Sequence, residues 1–258
     1  MGKLPISVFV VAKDEADRIP LTIKSVRDWV DEVIVIDSGS ADDTVAVAEA
    51  LGARVEFREW AGYGPQKIFG ESLCRNDWLL NLDADEVITP ALRDEIAALF
   101  AAGPPPAPLY RIKVTTVYPH HDAPRFLAEY KNIIRLYDRR VASFPDHPTW
   151  DAITPPAGAA VGQLHAPCLH YTWRGVGHYM EKINSYSSMQ AEHQPLKPFW
   201  FLVIQLILGI PLDFIKAYLL RRHITGGSFG VIVSGMFVIS RFLKNAKMIE
   251  RHLRNRGC

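Results

Sequence analysis

The ten residues 77–86, DWLLNLDADE, decide how the chain is read. Trp78, Leu79, Leu80 and Leu82 make a short apolar run that stops abruptly in carboxylates. A run of this length without alternation fits a strand buried on both faces, as in a parallel sheet covered by helices. Ligands of such sheets sit beyond the carboxyl ends of the strands. Asp83, Ala84 and Asp85 fall at that edge.

Upstream the pattern repeats. Ile6 to Ala12, Glu32 to Asp37 and Arg54 to Arg58 read as three more strands. Helical spacing follows in Ile19, Ile23, Val26 and Val30, then in Val45, Ala48 and Leu51, with Asp42 or Asp43 available as a cap. Pro90 opens another helix through Leu92, Ile96 and Leu99. Alternation of this kind predicts an α/β, Rossmann-like fold: a mostly parallel central sheet with helices on both faces. Polar clusters follow three of the strands, at Lys13-Asp14-Glu15, Asp37-Ser38-Gly39-Ser40 and Asp83-Ala84-Asp85-Glu86.

Downstream, AAGPPP (101–106) marks a linker or subdomain edge. Leu109 to Thr116 and Asn132 to Tyr137 read as strands of a second, mixed region, and Gly177 to His193 as a helix. The last sixty residues change character. Phe199 to Leu212 is almost wholly apolar, with Pro211 and Asp213 expected to end it; Phe229 to Leu243 is broken by Gly230, Ser234, Gly235 and Arg241. Neither stretch supplies cleanly the roughly 20 apolar residues of a membrane span. Basic residues accompany them: Arg221, Arg222, Arg241, Lys244, Lys247, Arg251, Arg254 and Arg256, against Glu250. Helices lying in the interface of an anionic membrane surface fit this pattern. Buried core helices, a dimer interface or a hairpin dipping into the bilayer are the alternatives.

The 258 residues are 48% hydrophobic and 22% charged, which fits a folded protein. A net charge of +1 gives no argument for nucleic-acid binding, and no nucleic-acid partner is expected. Cys74, Cys168 and Cys258 form no CxxC pair, which points to a reducing compartment. The N-terminal apolar run is too short for a secretory signal and reads as the first strand.

Chemistry concentrates at the strand ends. Asp83 and Asp85, one residue apart, can both approach a hard divalent cation, Mg²⁺ or Mn²⁺, that also takes diphosphate oxygens. Asp37 can accept hydrogen bonds from a base or ribose, or close an Asx-turn on its own backbone. In Gly62-Tyr63-Gly64-Pro65-Gln66-Lys67, Lys67 can reach a diphosphate with backbone N–H groups assisting at the helix start, though a solvated lysine is the simpler reading. The Walker A spacing is absent.

Taken together, AKDEADRI (12–19), VIDSGSADDT (35–44), GYGPQK (62–67), DWLLNLDADE (77–86) and RLYDRR (135–140) resemble the family 2 glycosyltransferases. More narrowly, the chain is similar from about residue 5 to 190 to the bacterial lipopolysaccharide-core branch, the WaaE-type β-1,4-glucosyltransferases. The resemblance implies a GT-A fold, an inverting hexosyl transfer, glucose from a UDP-sugar donor, and a membrane glycolipid acceptor of the lipid A–core type. It implies a catalytic domain over 1–195, with a nucleotide-sugar half to about 103 and an acceptor half from about 107. Residues 196–258 would then be a membrane-associating region at the cytoplasmic face of the bacterial inner membrane, peripheral or monotopic.

Carried over by position, the first-strand end at Ala12, with Glu15 and then Asp37, would hold the nucleoside. Gln66 and Lys67 would face the nucleotide-sugar. Asp83, Ala84 and Asp85 would meet the diphosphate and metal, with Asp85 the direct ligand, and His170 in CLHYTW would stand near the metal or be a packed histidine. Where the family places a His-Glu pair, this chain has Trp150-Asp151. Asp151 is therefore the candidate base, and Asp146 the second. Asp14-Glu15 stands for the usual Asn-Glu, and Ile68 for the asparagine after Gln-Lys. No Q-x-x-R-W follows, which argues against a processive synthase. A polyprenyl-phosphate acceptor and a non-catalytic membrane scaffold are the competing readings.

Overall fold

The computed structural model describes residues 2–255. Arg256 and Cys258, counted above with the basic tail and the cysteines, lie outside the described residues. The described residues divide into two compact units, residues 2–116 with 130–171, and residues 117–129 with 172–255.

The first unit contains β1 (Leu4–Ala12), α1 (Ile19–Val26), β2 (Val30–Asp37), α2 (Thr44–Ala50), β3 (Arg54–Phe57), α3 (Tyr63–Leu73), β4 (Trp78–Asp83), β5 (Glu86–Ile88), α4 (Pro90–Phe100), β6 (Leu109–Thr116), β7 (Tyr130–Asp138) and β8 (Val161–His170). The strands form one mixed sheet in the order β3-β2-β1-β4-β7-β6-β8-β5. Its first four members are parallel, as the strand–helix alternation requires. β7 runs antiparallel to both β4 and β6, and β5 antiparallel to β8.

Alternation along these strands feeds two cores, because successive side chains point to opposite faces. Val8, Val10, Val35, Leu80 and Leu82 pack with Ile19, Ile23, Leu92 and Ile96 of α1 and α4. Phe9, Ile34, Ile36 and Leu79 pack on the other face, against Ile68, Phe69 and Leu73 of α3. Helices therefore cover both faces. The register matters more than the layers: Ala12 pairs with Asp37, and Val11 with Asp83, so the polar ends of β1, β2 and β4 lie side by side.

In the second unit, α5 (Val176–His193), counted above with the catalytic part, packs on α7 (Gly227–Asn255). Lys247 Nζ clips the two by donating to the Asn184 carbonyl and to Ser187 and Ser188 hydroxyls at 2.8 Å each. α6 (Phe199–Ile215) also packs on α7, with Asp213 and Arg241 3.5 Å apart. Its other sides are bare: Trp200, Ile207, Leu212 and Leu220 are 64–75% exposed. Arg125 binds the turn between these helices through the Arg222 carbonyl and the Thr225 hydroxyl, both at 2.8 Å.

Several expectations need correction. Val30 does not continue α1, which ends at Val26; it opens β2 and fills the same core from there. β5 and β8 carry no strong alternating signal and were not anticipated. α6 does not stop at Pro211 but continues through one π-helical turn, Lys216–Leu220. A proline removes one backbone bond, yet the apolar run persists beyond it and Ala217 is fully buried. By length and composition, Phe199–Leu220 (22 residues) and His223–Asn255 (33 residues) are each long and apolar enough to cross a membrane.

Gly70 sets how closely α3 approaches the sheet. A Cβ there would lie 2.6 Å from the Phe9 ring and 2.9 Å from Ile36 Cδ1. Both side chains are fully buried, so they have little room to give. Gly70→Ala is expected to destabilise the protein by about 1–3 kcal/mol through overpacking, despite alanine's better helix propensity. Denaturant unfolding measures it.

Candidate active site

Two loops beyond β1 and β2 are tied to each other by the polar residues of the sequence motifs. The backbone N–H of Asp14 donates to Ser40 Oγ (3.0 Å), that of Glu15 to Thr44 Oγ1 (2.7 Å) and that of Ala16 to Asp42 Oδ2 (3.1 Å). The Ala41 N–H returns a bond to Asp14 Oδ1 at 2.7 Å. Asp37 closes an Asx-turn: Oδ2 accepts from the Gly39 N–H at 3.0 Å and Oδ1 from Ser40 Oγ at 2.5 Å. Ala12, the other residue at this edge, is buried beside it. Gln66 is fully buried, and its Nε2 donates to Ser38 Oγ (2.9 Å) and to the Arg58 carbonyl (3.0 Å).

The glycines of GYGPQK do something other than cradle phosphate. The N–H groups of Tyr63 and Gly64 donate to the Pro148 and His147 carbonyls at 3.0 and 3.1 Å, Pro65 has none, and that of Gln66 bonds the Gly62 carbonyl at 3.1 Å. The donors at the start of α3 are thus spent, which corrects the expectation that they assist a diphosphate. A Cβ on Gly64 would lie 2.1 Å from the Pro145 carbonyl oxygen, and one on Gly62 2.7 Å from Pro148 Cα. Both positions require glycine because segment 145–148 docks on them. Glu71, one turn beyond Lys67, holds the start of that segment by accepting from Tyr137 Oη (2.6 Å), Ser143 Oγ (2.5 Å) and the Phe144 N–H (3.2 Å). Burial raises its pKa against these bonds.

Lys67 is 2% exposed, so it is not the solvated lysine of the simpler reading. Its ammonium sits 3.2 Å from Asp83 Oδ1 and 3.3 Å from Asp151 Oδ2, over the Phe144 ring. Asp151 is partly exposed and lies in the irregular segment between β7 and β8. Asp146, also in that segment, is exposed. The other Asp83 oxygen accepts from Arg135 Nη2 at 2.8 Å. Arg135 on β7, 3% exposed, also donates to Glu86 Oε1 (2.5 Å) and Asn81 Oδ1 (2.7 Å). Burial opposes ionisation of Asp83, but Arg135 and Lys67 outweigh it and hold the carboxyl well below the usual range.

Asp85 faces the other way. His170 Nε2 stands 3.3 Å from Asp85 Oδ1, and Arg18 Nη1 3.3 Å from Oδ2. Arg18 also chelates Glu15, with Nη2 2.5 Å from Oε1 and Nε 2.7 Å from Oε2. Burial pushes Asp85 up, while the His170 hydrogen bond and the Arg18 charge bring it below its ordinary value. Burial likewise opposes protonation of His170, and Asp85, Glu86 and Asp83 raise it above the ordinary value. Ala84 is buried between the two carboxylates, and its carbonyl accepts from Thr22 Oγ1 at 2.9 Å.

The candidates thus gather as three neighbouring sets: Lys67, Asp83 and Asp151; Asp85, His170 and Glu15 through Arg18; and Ala12, Asp37 and Gln66. Asp83 and Asp85 face different partners. Among the described residues no cluster of three or more His, Cys, Asp or Glu side chains is arranged to hold a metal by itself. The Asp85–His170 separation of 3.3 Å is near the roughly 3 Å edge between adjacent ligands of an ion bound at about 2.1 Å. The carboxylate suits Mn²⁺ or Mg²⁺, while the imidazole is the softer ligand and fits Mn²⁺ better than Mg²⁺; either ion fills its remaining positions with waters and substrate phosphates. The residues present therefore fit such a cation.

Arg135, Arg18 and Glu86 were not singled out from the sequence. An arginine inside the apolar run of residues 133–137 was a usable signal, since a buried guanidinium must meet carboxylates.

A family profile described as "Glycosyl transferase family 2" matches residues 7–152. A Rickettsia felis protein described as an uncharacterized glycosyltransferase is 38% identical over 98% of this chain and 92% of its own. The lipopolysaccharide core biosynthesis glycosyltransferase LpsC of Rhizobium meliloti is 27% identical over 97% of this chain and 94% of its own. Among solved structures, glucosyl-3-phosphoglycerate synthase from Mycobacterium tuberculosis, in complex with Mn²⁺, UDP and glucosyl-3-phosphoglycerate, is 30% identical with a TM-score of 0.35, covering 45% of this chain and 44% of that one.

Two outcomes are expected. Arg135→Met, which leaves Glu86 and Asp83 without their shared cation, should lower stability by about 3–5 kcal/mol in denaturant unfolding. In the metal-free protein His170 should titrate above about 6.5 by NMR, and Asp85→Asn should bring it down. A raised histidine contributes stability below the unfolded value that is lost as pH rises through the folded one. Stability should therefore fall across that window in the parent and less in Asp85→Asn.

Proposed function

This chain belongs to the family 2 glycosyltransferases, and we propose that it transfers a hexose, glucose, from a UDP-sugar to a lipid-linked acceptor such as the lipopolysaccharide inner core, with inversion at the anomeric carbon. The observation that carries the reading is the buried Lys67 ammonium shared between Asp83 at the strand end and Asp151 on the docked segment. It joins a donor-side carboxylate to a candidate base through one cation. Likeness to a lipopolysaccharide-core glycosyltransferase along nearly the whole chain supports the acceptor class.

In this reading the catalytic domain spans about 1–195. Ala12, Glu15 and Asp37 border the nucleoside, with Gln66 bracing the loops around it. Lys67 and the Asp83-Ala84-Asp85 turn face the diphosphate. Asp85 and His170, with Asp83 nearby, would hold Mg²⁺ or Mn²⁺; when bound, the cation supplies positive charge to the departing nucleoside diphosphate. Asp151, open on its outer side, takes the proton of the acceptor hydroxyl as that oxygen attacks the anomeric carbon. Lys67 orients it. Asp146 is more exposed and has no such partner among the bonds described, which favours Asp151.

The second unit, which includes residues 196–255, associates with the cytoplasmic face of the inner membrane. α7 carries Arg241, Lys244, Lys247 and Arg251 alongside the apolar α6. These basic residues follow the uncharged stretch 223–240, at the end of the apolar part of α7, where an anionic headgroup layer would meet them. A monotopic arrangement keeps them at the headgroups.

UDP release from a panel of UDP-sugars tests the reading. One donor should turn over with Mg²⁺ or Mn²⁺, and chelation or Asp85→Ala should abolish it. With acceptor, Asp151→Asn should slow transfer by about 10²–10⁴-fold, the usual contribution of general base catalysis. Full activity in Asp151→Asn would indicate an acceptor phosphate, which needs no base. Absence of UDP binding with metal present would overturn the transferase reading.

A further inference from the structure

The second unit holds a cleft of about 210 Å³ between α5 and α7. Trp173, Tyr179, Tyr186, Lys182 and Gln190 line it, with Ser240 from α7. The Trp173 and Tyr179 rings are stacked, centroids 4.2 Å apart at 21°, and the half-buried tryptophan is backed by Tyr118 at 6.2 Å. The site is smaller than the roughly 300–1,000 Å³ of drug-sized ligand pockets, on the scale of one sugar residue. Its walls combine apolar ring surface with amide, hydroxyl and ammonium groups. A pyranose has the same make-up, with C–H groups for an aromatic face and hydroxyls for the polar rim.

α7 presents a second surface one residue away. Ile239, next to Ser240, lines a cavity of about 490 Å³ with Ile210, Phe214 and Val238, walled almost wholly by apolar atoms. Successive residues of a helix point about 100° apart, so the same turn shows a polar cleft on one side and an apolar cavity on the other. The bare apolar surface of α6 continues from that cavity. A molecule with a sugar head and a hydrocarbon tail matches both.

We propose that this cleft binds the saccharide of an anionic glycolipid acceptor, one sugar residue against the Trp173–Tyr179 pair and its acidic substituent at Lys182. The lipid portion lies along the apolar cavity and the exposed face of α6. The assignment rests on the reading that the acceptor is a glycolipid. The recognised chemistry is a sugar bearing one negative group, carboxylate or phosphate. Such a site sets acceptor affinity and leaves the donor reaction alone.

Saturation-transfer NMR on the full chain, with glucose 6-phosphate, glucuronate and glucose as probes, tests the assignment. At least one anionic sugar should bind saturably and more tightly than glucose, and which one does identifies the acidic group. Lys182→Ala should weaken that binding at least fivefold, and Lys182→Arg, which keeps the charge, should restore it. With a lipid A–core acceptor, Lys182→Ala and Gln190→Ala should raise the acceptor KM about tenfold while UDP release without acceptor stays at the parental rate. Anionic-sugar binding and acceptor KM that are unchanged in Lys182→Ala overturn the proposal. Absence of UDP release in the parent protein would instead count against the transferase reading, and the sugar titration then decides the cleft by itself.

Discussion

A guanidinium taken out of water must be surrounded by acceptors, and the site is organised around that demand at Arg135. Its side chain enters from β7, the strand that turns the sheet from parallel to mixed. Asp83, Glu86 and Asn81 meet it. Those three residues are the end of β4 and the start of β5. One buried cation thus fixes the chain on both sides of Ala84 and Asp85, and sets where each carboxylate points. Without it, Glu86 would be a fully buried acid with no counter-charge, a state costing several kcal/mol.

The two carboxylates of the DxD triplet consequently have different electrostatic roles. Asp83 is neutralised by Arg135 and Lys67. Asp85 is directed to His170 and Arg18. His170 reaches that position because β8 runs antiparallel to β5, opposite Glu86. A three-residue strand with little sequence signal therefore aligns the imidazole with the carboxylate.

Close backbone approach does comparable work on the other side. Segment 145–148 seats on Gly62 and Gly64, Glu71 anchors its entry, and Asp151 emerges beside Lys67. Four features of one helix, α3, thereby carry the loop, the cation, the Gln66 brace and the Gly70 contact with the sheet. The dense use of α3 explains why its N-terminal donors are not left open for a ligand.

By itself the sequence determined the parallel half of the sheet and the edge where chemistry collects. Both follow from local facts: an uninterrupted apolar run makes a strand buried on both faces, and a polar residue at its end must lie at the sheet's edge. The partners of Asp83, Asp85 and Glu86, the pairing of Lys67 with the docked segment's aspartate and the burial of Gln66 are of another kind. Only tertiary structure decided them, because their partners are far apart in the chain: Arg135 and Asp83 are separated by 52 residues, Lys67 and Asp151 by 84. A charge reads the same in sequence whether it meets water or an opposite charge. Which it meets depends on the strands and loops that fold around it.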